Sequence, residues 1–272
     1  MSLQNLHIIG TSHIAKESVT QIEEFMDKKD INLVCVELDR NRLFALKHDI
    51  KGRIKVTNLS LIGQIGLTGF IFALIAQHAQ KKMGETVKTK AGSDMLAAVS
   101  SAGKRKIPIA LIDQDVNITL RNLSRKVPFS EKMRILVDLF KGMLGMKSEL
   151  TDIDLKKMDL NKVPPEAIVE KVLSKTKHRY PKMYDVLVED RNRHMVNKIV
   201  RILETHPDWN LLVVIGAGHK EGIVSLLEQK TNEKYSESSI SSDRKSHSKD
   251  SGNAYTKSSS QDYRYSHSVK YK

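Results

Sequence analysis

At 272 residues, 40% hydrophobic and 28% charged, the chain can bury a real core, and its length suits one domain or a domain plus a subdomain. A net charge of +13 suits an anionic partner, but the clusters Lys81-Lys82, Lys104-Arg105-Lys106, Arg125-Lys126 and Lys156-Lys157 supply only part of the excess and come without an aromatic ladder. That pattern argues against nucleic acid and for a solvated basic surface. The lone cysteine, Cys35, excludes an internal disulfide and leans toward a reducing cytosol.

The chain passes from Met1 into an apolar run with no charged leader and no apolar h-region, so no secretory signal is expected. Strands are predicted at Leu6 to Ile9, Leu33 to Leu38, Ile107 to Ile112 and Leu211 to Ile215, from Val- and Ile-rich runs bounded by turn residues. Helical periodicity falls at Lys16 to Lys28, Arg40 to His48, Phe70 to Met83 and Ser93 to Ala102, where Ser93 can cap. This alternation predicts an α/β fold with a mainly parallel central sheet covered by helices.

The segment Leu61 to Ala76 is almost wholly apolar, but it is short for a membrane span and is broken by Gly63, Gly66 and Gly69. It reads as a buried helix beginning near Thr68, with an interfacial segment as the alternative. Glu131 to Leu144, Pro165 to Thr176 and Tyr180 to Glu204 are also helical in pattern. Together they form a helical insertion, about 124–207, ahead of the last core strand. From about Thr231 the composition turns to Ser, Lys, Asp, Tyr and His with few aliphatics, which predicts a disordered tail over 231–272 after a folded domain over 1–230.

One device occurs twice. The first strand runs into Gly10-Thr11-Ser12-His13 and the last into Gly216-Ala217-Gly218-His219, each a strand, a tight turn and a helix start. Both imidazoles then sit at carboxyl ends of strands, the edge where parallel sheets bind ligands. Glu37-Leu38-Asp39-Arg40 follows the second strand, and Glu37 and Asp39 are two apart, so they can share a face. Two histidines and one carboxylate with open positions suit a hydrolytic divalent metal. The competing reading makes the histidines helix starts and pairs Glu37 with Arg40.

The third strand ends in Asp113-Gln114-Asp115, two carboxylates able to orient a ligand or a proton, or to cap a helix, and Arg121 follows as a clamp. Glu189, Arg191, Asn192 and Arg193 read first as a solvated helical face. No GxGxxG, Walker, CxxC, HExxH or GxSxG motif is present, which argues against nucleotide binding and the commoner hydrolase sites.

In order, Gly10-Thr11-Ser12-His13, Val36-Glu37-Leu38-Asp39-Arg40, Leu111-Ile112-Asp113-Gln114-Asp115 with Thr119-Leu120-Arg121, Glu189-Asp190-Arg191-Asn192 with Met195, and Gly216-Ala217-Gly218-His219 with Gly222-Ile223 resemble the TraB-domain proteins, the TraB/PrgY/GumN group, from about Leu6 to Leu227. The resemblance implies a fold similar to the TIKI, erythromycin-esterase and ChaN proteins. It implies a divalent metal (Mn, Co, Zn or Fe) on His13, Glu37 and His219, with Asp39, Asp113 or Asp115 handling protons. Arg40, Arg121, Arg191 and Asn192 would orient the substrate or the acids. It further implies a peptide as substrate or ligand, or sequestration of a peptide or haem without catalysis. Two positions depart from the family pattern: Gln114 stands where Arg is usual, and Asp94 replaces Glu in Gly92-Ser93-Asp94-Met95. Many relatives continue into transmembrane helices after the second GxxH, where this sequence runs into the Ser-rich tail, so a C-terminal transmembrane bundle is not expected. A cytoplasmic protein is expected, with peripheral membrane contact as a third reading.

Overall fold

The computed structural model describes residues 3–11, 16–48, 60, 62–66, 70, 73, 92–143 and 166–246. The chain divides into two units, Met1–Thr231 and Asn232–Lys272. The first holds a four-stranded sheet of β1 (Leu6–Thr11), β2 (Leu33–Val36), β3 (Ile109–Leu111) and β4 (Leu211–Gly216). The strand order is β1-β4-β2-β3 and every pairing is parallel, with Ile8 beside Val213, Cys35 beside Val213, and Cys35 beside Ala110. The last strand in sequence therefore lies inside the sheet, between β1 and β2. The α/β architecture expected from strand and helix alternation is the one observed.

Side chains alternate across a strand, so the apolar runs split between two cores. On one face Ile9, Val34, Val36, Leu212 and Val214 pack against Ile22 and Met26 of α1 (Lys16–Lys28) and Met95, Ala98, Val99 and Ala102 of α3 (Ser93–Lys104). On the other, Leu33, Cys35, Leu211, Val213 and Ile215 pack against Met195, Val196, Ile199 and Leu203 of α8 (Asp190–Thr205) and Ile223 and Leu227 of α9 (Ala217–Ser246). Strands covered on both faces read as continuous Val and Ile rather than alternating polarity, and β2 and β4 do so. Each fully buried Leu, Ile or Val contributes about 1.5–3 kcal/mol. The helices after β1 and β2 lie on one face and the helix after β4 on the other, so the winding reverses at β4. A crevice at the carboxyl ends of β2 and β4 follows from that reversal.

Between these elements lie α2 (Arg40–Lys47), α4 (Val116–Lys126), α5 (Phe129–Met143), α6 (Glu166–Arg179), the single turn α7 (Pro181–Tyr184) and a π-helical turn, Asp185–Glu189, that leads into α8. Helices fill the described part of the expected insertion. Ser93 does not cap α3; the cap is Gly92 at φ +84°, a left-handed conformation that glycine adopts without steric cost. Ile65, Phe70 and Ala73 are buried together, consistent with a core role for part of the Leu61 to Ala76 run, but residues 62–66 are already helical, ahead of the start expected near Thr68; residues 61, 67–69, 71–72 and 74–76 lie outside the described residues. Among the described residues no helix is long and apolar enough to cross a membrane. In the second unit residues 232–246 are helical, beyond the point at which the sequence predicts order to end; 247–272 lie outside the described residues.

Candidate functional site

The crevice at the sheet's carboxyl edge holds a buried charge network to which the ends of β2, β3 and β4 and the helices α2, α8 and α9 all contribute. Glu37, directly after β2, accepts the Gly216 N–H at the end of β4 on Oε2 at 2.6 Å, which ties the two central strands together beyond their last ladder bond. Its Oε1 accepts from Arg191 Nη2 and lies 3.5 Å from His219 Nε2. Arg191, near the start of α8, also grips Asp113 side-on, Nε to Oδ1 at 2.9 Å and Nη2 to Oδ2 at 2.8 Å. Its Nη1 reaches His219 Nε2 at 3.0 Å and the Leu187 carbonyl at 3.3 Å. Arg42, one turn into α2, donates to Asp113 Oδ2 at 2.9 Å.

Asn192 decides the state of His219. Its Oδ1 lies 2.6 Å from His219 Nδ1 and can only accept, so Nδ1 donates and Nε2 is left to accept from Arg191 Nη1. Asn192 can approach because residue 222 is glycine: a β-carbon there would overlap Asn192 Nδ2 and stand 3.4 Å from its Cγ. Burial alone would lower the Arg191 pKa, but the charges of Glu37 and Asp113 and their hydrogen bonds outweigh it and hold the guanidinium above its usual value. Burial, reinforced by Arg40, depresses the Lys198 ammonium against the pull of Asp113 and Asp39. Lys198 donates to the Leu111 and Asp113 carbonyls at 3.0 and 3.4 Å.

Of the residues singled out in the sequence, Glu37, Asp113, Arg191, Asn192 and His219 come together. His13 lies outside the described residues. Glu37 is bonded to Arg191, not Arg40, and Arg40 is exposed at the start of α2. Glu37 and Asp39 do not act as a facing pair: Asp39 turns back to cap α2, Oδ1 accepting the Asn41 and Arg42 N–H groups at 2.8 and 3.0 Å, because β2 ends at Val36 and the chain bends at Glu37. Asp115 likewise caps α4 through the Asn117 N–H at 2.7 Å and accepts from Asn41 Nδ2 at 3.2 Å. Arg121 is exposed and donates to the Gln64 carbonyl at 3.1 Å. Within the segment read first as a solvated face, Arg191 and Asn192 turn inward to the network, Asn192 being 1% exposed, while Arg193 stays exposed and pairs with Asp185 and Asp190, and Glu189 pairs with Lys177. Arg42, Asn41 and Lys198 were not anticipated. Arg42 lies one helical turn beyond the cap residue Asp39, a spacing that offered a signal; Lys198, seven residues past Arg191 on the same helix face, offered a weaker one.

The donor chemistry suits a divalent cation at two positions, the His219 Nε2 lone pair and Glu37 Oε1, which converge with the tautomer set by Asn192. Both atoms already meet a cation, Arg191, so an added ion would share them with the guanidinium or displace it. Among the described residues no group of three or more His, Cys, Asp or Glu is arranged to hold a metal.

A parallel α/β domain with a charged crevice where its winding reverses defines the class. The chain matches the TraB/PrgY/gumN family over residues 2–238 and belongs to it. It is 34% identical over 229 residues to an uncharacterized protein of Methanocaldococcus jannaschii, an alignment covering 84% of this chain and 54% of the relative. The chain thus spans about half the length of that relative.

Proposed function

We propose that the chain is a divalent-metal-dependent hydrolase of the peptidase type, with His13, Glu37 and His219 holding the ion (Mn, Co, Zn or Fe). The observation that carries this reading is the placement of His219 Nε2 3.5 Å from the Glu37 carboxylate at the sheet's carboxyl edge, with Nδ1 held by Asn192. A bound ion would supply Lewis-acid charge to polarise a carbonyl and acidify water. The rest falls to the chain itself. Glu37 is anchored by the Gly216 N–H, so it keeps its position when Arg191 shifts. Arg191, fixed side-on to Asp113, spends its Nη1 and Nη2 donors on Leu187, His219, Glu37 and Asp113, so it would bind a substrate carboxylate or the negative oxygen of a tetrahedral intermediate by releasing His219 or Glu37 to the ion. Asp113 balances Arg191 and Arg42; Asp39 caps α2 through Oδ1, but its buried Oδ2 has no hydrogen-bond partner among the described residues and is the oxygen we assign to proton transfer.

Elemental mass spectrometry of protein reconstituted with each ion, beside the His13→Ala/His219→Ala variant, tests the site. A stoichiometric ion lost in the variant, with peptide-library turnover abolished by Glu37→Ala, supports the reading; no ion in either protein overturns it. One observation favours a second reading, a non-catalytic protein that sequesters a peptide or haem: Arg191 already engages both candidate ligand atoms. On that reading a ligand binds without being consumed and Glu37→Ala leaves it unaltered.

A further inference from the structure

Helix α5 is mounted opposite to the usual sense. Its two acidic side chains, Glu131 and Asp138, face inward, while Phe129, Met133, Leu136 and Val137 are 76%, 41%, 40% and 47% exposed. Glu131 accepts the N–H groups of Lys182 and Met183 at 3.2 and 2.7 Å, closing the start of α7. Asp138 accepts both Arg179 Nε at 3.0 Å and the Tyr180 hydroxyl at 2.6 Å. These buried polar anchors, seven residues apart, hold the helix in one rotation. Turning it to bury the apolar stripe would carry both carboxylates to solvent and leave the Lys182 and Met183 N–H groups, Arg179 and the Tyr180 hydroxyl without these acceptors.

The four apolar residues fall at i, i+4, i+7 and i+8, a stripe about 100° wide. Lys132 lies on one side of it and Arg134 and Lys141 on the other, and exposed Arg125 ends the preceding helix. With both carboxylates turned inward, the described outer surface of α5 carries apolar and basic side chains and Ser130 but no acid, and Lys132 and Arg134, bonded only to the Ser124 and Arg179 carbonyls, keep their charge uncancelled. That combination matches an anionic lipid surface: the stripe enters the headgroup boundary while the flanking cations meet the phosphates. A second copy of the chain would bring the same cations against one another.

We infer that α5 is an interfacial membrane-binding helix that docks on anionic bilayers through Phe129, Met133, Leu136 and Val137. The inference is independent of the metal site. It is tested by sedimentation of the full chain with phosphatidylcholine vesicles with and without phosphatidylglycerol, at low and high salt. Binding is expected to the anionic vesicles only, weakening as salt rises, and Phe129→Ser/Val137→Ser should lower it by about tenfold or more while leaving the thermal melt unchanged. In a Phe129→Trp variant the added emission should shift to the blue on anionic vesicles. Equal binding by the double variant, no binding by the wild type, an unshifted Trp spectrum, or a dimer that the double variant dissociates would each overturn it.

Discussion

Asn192 and Gly222 pack so closely that residue 222 has no room for a side chain, and that closeness sets the proton on His219. Gly222→Ala should gain about 0.5–1 kcal/mol of helix propensity yet lose more by pushing Asn192 off Nδ1, a net loss of about 1–2 kcal/mol. In an Asn192→Ala background the same change should stabilise. Thermal melts of the four proteins give the coupling, and imidazole ¹⁵N shifts report the tautomer. If Gly222→Ala stabilises both backgrounds equally, the contact has no such role.

Arg191 is the cation shared by two buried carboxylates, so removing it leaves Glu37 and Asp113 facing one another. Arg191→Met should cost about 3–5 kcal/mol in urea unfolding, and Arg191→Lys should recover only part, because an ammonium cannot span Asp113 side-on while reaching Glu37. Added Mn or Zn should raise the melting temperature of Arg191→Met more than that of the wild type. A loss under about 1 kcal/mol would show that the pairing is not what holds these acids.

Asp138 gives a pH signature. Burial alone would raise its pKa, but the hydrogen bonds from Tyr180 and Arg179 and the Arg179 charge outweigh this and leave it below the ordinary carboxylate value. A depressed folded pKa adds stability above the unfolded value of 3.8, and that stability is lost as pH falls through the folded pKa. Asp138→Asn should therefore cost about 1–2 kcal/mol at pH 6, with the gap to wild type closing below about pH 4. Paired urea titrations check this; a gap that persists in acid contradicts it.

Cys35 is a built-in unfolding probe. It is fully buried in β2, and burial pushes its thiol up to about 12. Ellman's reagent should find no reactive thiol in native buffer and one per chain in urea. Labelling within minutes under native conditions would mean that β2 opens locally.

The sheet was readable because a strand buried on both faces leaves an unbroken Val and Ile run, as in Leu211 to Ile215, while strand order carries no local signal. Glu37 and His219 were readable from their place just past a strand, a position local sequence defines. Arg191 and Asn192 were not readable from periodicity alone: an Arg and an Asn on a polar helix stretch look the same whether they face water or a carboxylate some 80 residues away. The π-helical turn at Asp185–Glu189, which sets the phase with which α8 presents them, has no motif of its own. Asp39 and Asp115 show the converse. Both are acids at strand ends, and both spend an oxygen on a helix cap.

The strand order also has a consequence for synthesis. A ribosome delivers β1, β2 and β3 long before β4, yet β1 and β2 share no ladder until residues 211–216 slide between them. The same insertion brings the Gly216 amide to Glu37 and His219 to Asn192. An unfinished chain therefore carries neither the complete sheet nor a completed crevice, and the Glu37–Arg191–His219 network comes into being only after nearly all of the folded unit has been translated.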